Sequence, residues 1–138
     1  NDLYHALERQ ELRLHYQPQI DLLSGKTLWD RPLGTARTNG PFGIPSRLPM
    51  TIGTPNNGGA VVTAGGVVFI AAPTDNLIRA IDLKSGRTLW QDVLPAGGQA
   101  TPMTYEVDGK QYVVIMAGGH GSFGTRMGDY LVAYALPD

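Results

Sequence analysis

Ile20-Asp21-Leu22-Leu23-Ser24-Gly25-Lys26-Thr27-Leu28-Trp29 and Ile81-Asp82-Leu83-Lys84-Ser85-Gly86-Arg87-Thr88-Leu89-Trp90 are one ten-residue string written twice. Only Leu23 against Lys84 breaks the match, and Lys26 against Arg87 keeps the charge. The string has a physical logic. An apolar strand ends at the Asp, and the Ser-Gly pair turns the chain, with Gly free to take a positive φ. The next strand carries a Trp, a large apolar body with one N–H donor. Between stacked sheets such a Trp fills the gap. One copy alone would read as an ordinary hairpin with a core Trp. Two copies predict the repeated blades of a β-propeller. Trp90 follows Trp29 by 61 residues (90 − 29), whereas a four-stranded blade takes roughly 40–50. The excess falls in the Pro/Gly-rich stretch 31–59, which holds no good strand. A loop that long is usually functional or packed against another part of the protein.

Outward from the repeat helical periodicity disappears, and the runs between turn signals read as candidate strands at Thr27–Trp29, Ala60–Thr63, Val67–Ala71, Ile78–Asp82, Thr88–Val93, Met103–Val107, Gln111–Ala117 and Tyr130–Ala135. Turn signals separate them, and Asp108-Gly109 reads as a tight hairpin. Residues 1–25 have a different texture. Leu3 and Leu7 share a helix face behind Asp2 as N-cap, and Leu12, Leu14 and Tyr16 alternate as a strand. The expected fold is mainly β, the last blades of a propeller with a short helix–strand leader.

The 138 residues suffice for one ordinary domain. Eleven basic against 12 acidic residues argue against nucleic acid as a partner. The absence of cysteine excludes disulfides and thiolate metal sites. Eighteen Gly and ten Pro fit many turns between short strands. No run of 18 apolar residues is present, so no membrane contact is evident in the sequence. The chain begins with Asn rather than Met and is expected to be a piece of a longer protein.

Residues 82–90 resemble the tryptophan-docking motif of the eight-bladed quinoprotein dehydrogenases. The flanking segments are similar to the membrane-bound glucose dehydrogenases that use pyrroloquinoline quinone (PQQ): Thr27–Asp30 with Pro32–Thr35, Pro41–Pro45, Thr74–Ala80, Leu94–Glu106, Ala117–Thr125 and Val132–Pro137. This resemblance covers about residues 26–138. Residues 1–25, above all Leu12-Arg13-Leu14-His15-Tyr16-Gln17-Pro18, resemble the opening of an EAL cyclic-di-GMP phosphodiesterase domain, without its Glu-Ala-Leu motif or its metal-binding carboxylates. The two families share the string at residues 20–25, so a chimera joined there is expected.

The resemblance implies oxidation of an aldose of the glucose type to its lactone. Its cofactors are PQQ and Ca²⁺ or Mg²⁺, and electrons pass to ubiquinone. It places the protein on the periplasmic side of the inner membrane. The catalytic Asp, the main cation ligands and the membrane anchor are expected upstream, as is the rest of the propeller needed for folding. No metal ligand is assigned within the chain.

Among local candidates, His120 lies in Gly118-Gly119-His120-Gly121, where absent side chains let a ligand approach. A loop His is otherwise a solvated one. The resemblance places this His beside the active site and Asp75 near the cofactor, coupled to it. Read from the residues alone, Asp75 before Asn76 is an Asx-turn residue. Asn56, Asn57, Gly58 and Gly59 offer amide donors and backbone N–H groups that suit PQQ carboxylates, or form a simple loop. Gly97-Gly98-Gln99 is similar and ranks lower. Arg37 and Arg47 could anchor an anionic cofactor, although surface solvation is the more frequent role of such arginines. Two alternatives to the oxidoreductase stay open: a non-catalytic structural or binding segment, and a cyclic-di-GMP phosphodiesterase remnant carried by residues 1–25.

Overall fold

The computed structural model of the protein describes residues 16–38 and 46–137. The helix expected around Asp2–Arg9, most of the alternating run at 12–16 and the Pro41–Pro45 motif lie outside the described residues. The described chain is almost wholly β. Its nine strands are β1 (Tyr16–Ile20), β2 (Thr27–Pro32), β3 (Ala60–Val62), β4 (Val67–Ile70), β5 (Leu77–Asp82), β6 (Thr88–Val93), β7 (Met103–Val107), β8 (Lys110–Ala117) and β9 (Tyr130–Ala135). They form three antiparallel meanders, β1-β2, β3-β4-β5-β6 and β7-β8-β9. Three of the eight predicted strands extend further, β2 to Pro32, β5 from Leu77 and β8 from Lys110, and β3 and β4 each stop one residue short.

The two copies of the repeat fold alike, bond for bond. In each, the Asp carboxylate accepts from the Ser three residues on: Asp21 from Ser24 N (2.8 Å) and Oγ (3.0 Å), Asp82 from Ser85 N (2.7 Å) and Oγ (2.6 Å). Each Asp also brackets the turn through its backbone, to Lys26 and Gly25 or to Arg87 and Gly86. Gly25 and Gly86 take φ of 67° and 68°. Both hairpins then bulge at the same place, between Gln19 and Ile20 and between Ala80 and Ile81. The backbone bond from Ser24 holds the Asp21 carboxyl below its ordinary range, as the Ser85 hydroxyl does for Asp82.

The sheets stand side by side and bury two apolar interfaces. Leu33, Val68, Ile70, Ala72 and Ile81 lie between the first sheet and the second, with Trp29 and Leu83 packed on them. Ala71, Ile78, Leu94, Ala96, Ile115 and Ala117 lie between the second and the third. β5 is therefore covered on both faces, and Leu77 through Ile81 are all buried.

Trp29 shows what the repeat is for. Its indole N–H donates to the Leu83 carbonyl at 2.8 Å, inside the turn of the second copy. A Cβ added to Gly86 would sit 2.6 Å from the indole ring, so only Gly leaves the ring room there. Arg31 adds a bond to the Gly86 carbonyl. Trp90 meets Tyr134 edge-on at 4.9 Å, and the Tyr134 hydroxyl donates to Asp92 at 3.0 Å. Burial, with that bond second, pushes the Tyr134 hydroxyl pKa up to about 12. Asp108 and Gly109 take φ of 51° and 76°, the paired positive values of the expected tight hairpin.

Candidate functional site

Because every sheet is an antiparallel meander, connections alternate between its two ends. The repeat turns at 21–26 and 83–87, with the turns at 63–66 and 108–109, occupy one end. The other end collects the described connecting residues 33–38 and 46–59 with the connections at 71–76, 94–102 and 118–129. All the sequence-predicted site residues lie in this second set.

A chain of polar contacts ties these four connections together. Asn56 pairs with Pro73 through an isolated bridge. The Gln99 amide donates to the Pro73 carbonyl at 3.1 Å, and its Oε1 accepts from Thr125 Oγ1 at 3.0 Å. Thr125 Oγ1 in turn accepts from the His120 backbone N–H at 2.8 Å. Gly58 fits against Gln99, whose carbonyl would stand 2.6 Å from an added Cβ. Gly119 takes φ 72° and packs against the Arg126 backbone. The His120 ring meets Phe123 edge-on at 5.0 Å.

Two candidates keep an unsatisfied atom. Asn56 Oδ1 and His120 Nδ1 are buried and lack a hydrogen-bond partner among the described residues. Buried polar atoms are nearly always paired, so such atoms at a loop cluster suit a polar ligand that supplies the partner. Of the two, His120 Nδ1 can donate, when it carries the proton, to a quinone cofactor edged with carbonyl and carboxylate oxygens, whereas Asn56 Oδ1 accepts and suits an O–H or N–H donor such as a substrate hydroxyl.

The other candidates behave differently. The Asn57 N–H donates to the Ala72 carbonyl at 3.2 Å and the Gly59 N–H to Thr101 Oγ1 at 3.1 Å. Those backbone donors, expected to meet cofactor carboxylates, instead hold the loop to its neighbours. Asp75 is 1% exposed, and its carboxylate accepts from Thr35 N at 2.8 Å and Leu77 N at 3.2 Å. It also forms a buried ion pair with Arg79. The Asx-turn reading holds, with Asn76 at φ 56°. None of these bonds of Asp75 goes to His120. The Pro73–Gln99–Thr125 contacts reach the His120 backbone without Asp75.

Gln99, Thr125 and Arg79 are the residues that sequence reasoning under-ranked or passed over. Gln99 and Thr125 are 26 residues apart, and Arg79 hides within an apolar strand. Arg37 and Arg47 are both exposed. No group of three His, Asp or Glu side chains that could hold a metal ion is found among the described residues. No helix among them is long and apolar enough to cross a membrane.

The sequence profile of the PQQ glucose/ethanol/alcohol dehydrogenase β-propeller domain matches residues 16–113. The match begins at Tyr16, and a boundary at Lys26 falls inside the β1–β2 hairpin. The glycerol dehydrogenase large subunit of Gluconobacter oxydans (strain 621H) is 67% identical over 120 residues, 86% of this chain and 16% of that protein. The quinoprotein glucose dehydrogenase of Escherichia coli (strain K12) is 58% identical over 123 residues, 89% of this chain and 16% of that protein. The chain thus spans 16% of the length of these relatives. Among solved structures, a europium-containing methanol dehydrogenase aligns with TM-score 0.52 and 32% identity over 72% of this chain and 14% of its own. The quinohemoprotein alcohol dehydrogenase of Comamonas testosteroni aligns with TM-score 0.62 over 87% of this chain and 16% of its own; at 23% identity the likeness is one of fold. The profile match, supported by the repeated turn and the side-by-side sheets, makes this chain a member of the PQQ-dependent glucose/ethanol/alcohol dehydrogenase β-propeller family.

Proposed function

We propose that the chain is a sector of a membrane-anchored quinoprotein that oxidises an aldose or polyol hydroxyl on the periplasmic side and passes electrons to ubiquinone. The observation that carries the reading is the pair of unsatisfied buried atoms, Asn56 Oδ1 and His120 Nδ1, at the loop end of a PQQ-family propeller. When bound, PQQ supplies a two-electron quinone acceptor, and Ca²⁺ or Mg²⁺ polarises its carbonyl. The chain's own residues do three things. His120 presents a ring nitrogen for a hydrogen bond or a proton at the ligand. Asn56 offers an amide oxygen that accepts from a ligand O–H or N–H. Gln99 and Thr125 fix both loops through the Pro73 carbonyl and the His120 N–H. The catalytic Asp and the cation ligands lie upstream in this reading.

The substrate class is drawn wider than glucose alone. Glycerol dehydrogenase large subunits are 67% and 63% identical to this chain, against 58% for the E. coli glucose dehydrogenase. The test is dye reduction by the full-length protein, loaded with PQQ and Ca²⁺ or Mg²⁺, on glucose, other aldoses, glycerol and longer polyols. PQQ-dependent turnover on at least one member of either class is expected. Turnover confined to simple alcohols or to quinate would refute the substrate assignment.

A further inference from the structure

Between the segment after β2 and the β5–β6 hairpin lies a cavity of about 280 Å³. Its walls carry Arg31, Arg37 and Arg79, with Thr35 and Gln91 among the polar residues, and no acidic side chain lines it. None of its lining residues belongs to the cluster of Asn56, Gln99, Thr125 and His120. Arg79 is charge-compensated by Asp75, and Arg31 donates to the Gly86 carbonyl. A guanidinium carries five N–H donors, so both retain donors beyond these bonds. Arg37 is exposed at the cavity.

A second observation points the same way. Thr35 Oγ1 is buried and lacks a hydrogen-bond partner among the described residues. The Thr35 N–H is bound to Asp75, so the ion pair that presents Arg79 also pins the residue with the orphan hydroxyl. A buried hydroxyl left unpaired is costly unless something else supplies the bond. An oxygen-rich anion does so, and the planar guanidinium fork matches paired phosphate or carboxylate oxygens. The volume lies at the small end of ligand pockets and suits one compact ion rather than a nucleotide.

We propose that this cavity is a binding site for a small multivalent oxyanion, phosphate or a short dicarboxylate. The proposal stands on the cavity alone and does not rest on the assignment of the quinone site. The experiment is calorimetric titration of inorganic phosphate, and separately succinate, into the full-length protein in a KCl background of fixed ionic strength. Saturable binding of at least one is expected, and the tighter of the two names the source. Arg37→Gln and Thr35→Val are each expected to weaken it about tenfold, the scale of one charged or orphan-satisfying hydrogen bond. Thr35→Val preserves side-chain shape and removes only the hydroxyl, so it keeps the test open if an arginine variant folds poorly. Heats no larger than those of KCl alone, or binding unchanged in both variants, overturns the proposal.

Discussion

Asp75 and Arg79 are the residues whose removal the fold should feel most. Both are buried, four residues apart with Asp75 in the β4–β5 turn and Arg79 in β5, and the carboxylate also accepts two backbone N–H bonds. Replacing one member of a buried pair strands the other charge, at a cost of about 3–5 kcal/mol. Arg79→Met should therefore lower stability by that order, measured by chemical denaturation of the full-length protein. A loss below about 1 kcal/mol, the scale of an exposed pair, would contradict the buried-pair reading. Asp75 was legible in the sequence as an Asx-turn residue because that motif is local. Its partnership with Thr35, 40 positions away, was not. Tyr134 supplies a pH test. Its hydroxyl pKa is raised from 10.0 to about 12, so the folded state holds that proton more tightly than the unfolded chain. The stability this confers is complete below pH 10 and is lost as pH rises from 10 through 12. Tyr134→Phe should flatten that alkaline limb of a melting profile; an unchanged limb would place its cause elsewhere.

At the scale of elements, the repeated turn is the unit that joins one sheet to the next. Trp29 from β2 lies on Gly86 and bonds to Leu83, and Gly86 holds φ 68° beneath it. Trp29→Ala removes a half-buried ring and its hydrogen bond and should cost about 2–4 kcal/mol, below the range for a fully buried aromatic. Gly86→Ala adds a left-handed backbone penalty to a clash with the ring, so it should also destabilise, although it deletes nothing. Equal stability of Gly86→Ala and the parent would show that the ring is not seated there. Gly25, its counterpart in the first copy, faces open space. The element pattern was readable in advance because strand alternation and Ser-Gly turns are short-range signals. The Asp21–Ser24 and Asp82–Ser85 turns have one acid signature as well. Their carboxyls titrate below 3.8, so the stability they lend is present above that pH and is lost as pH falls through the lowered values. What the pattern did not show was the cross-loop bracing by Gln99 and Thr125, which depends on how two sheets meet.

At the scale of the whole molecule, three sheets and two apolar interfaces make a sector of a ring rather than a closed one. Large apolar side chains remain outside, including Leu22, Leu23, Leu131 and Leu136. Closure of a propeller removes such faces and edges. The isolated 138-residue chain should therefore self-associate, and a cooperative monomeric melt would contradict this view of it. The same loop end that gathers His120, Asn56, Gln99 and Thr125 is where the central claim can be tested most directly. PQQ is titrated into the metal-loaded full-length protein and into its His120→Asn variant, and the bound cofactor is followed by its absorption. The predicted result is weaker PQQ binding in the variant by about tenfold, equivalent to one lost hydrogen bond of about 1.4 kcal/mol. Identical titration curves for the two proteins would contradict the placement of this loop cluster at the cofactor.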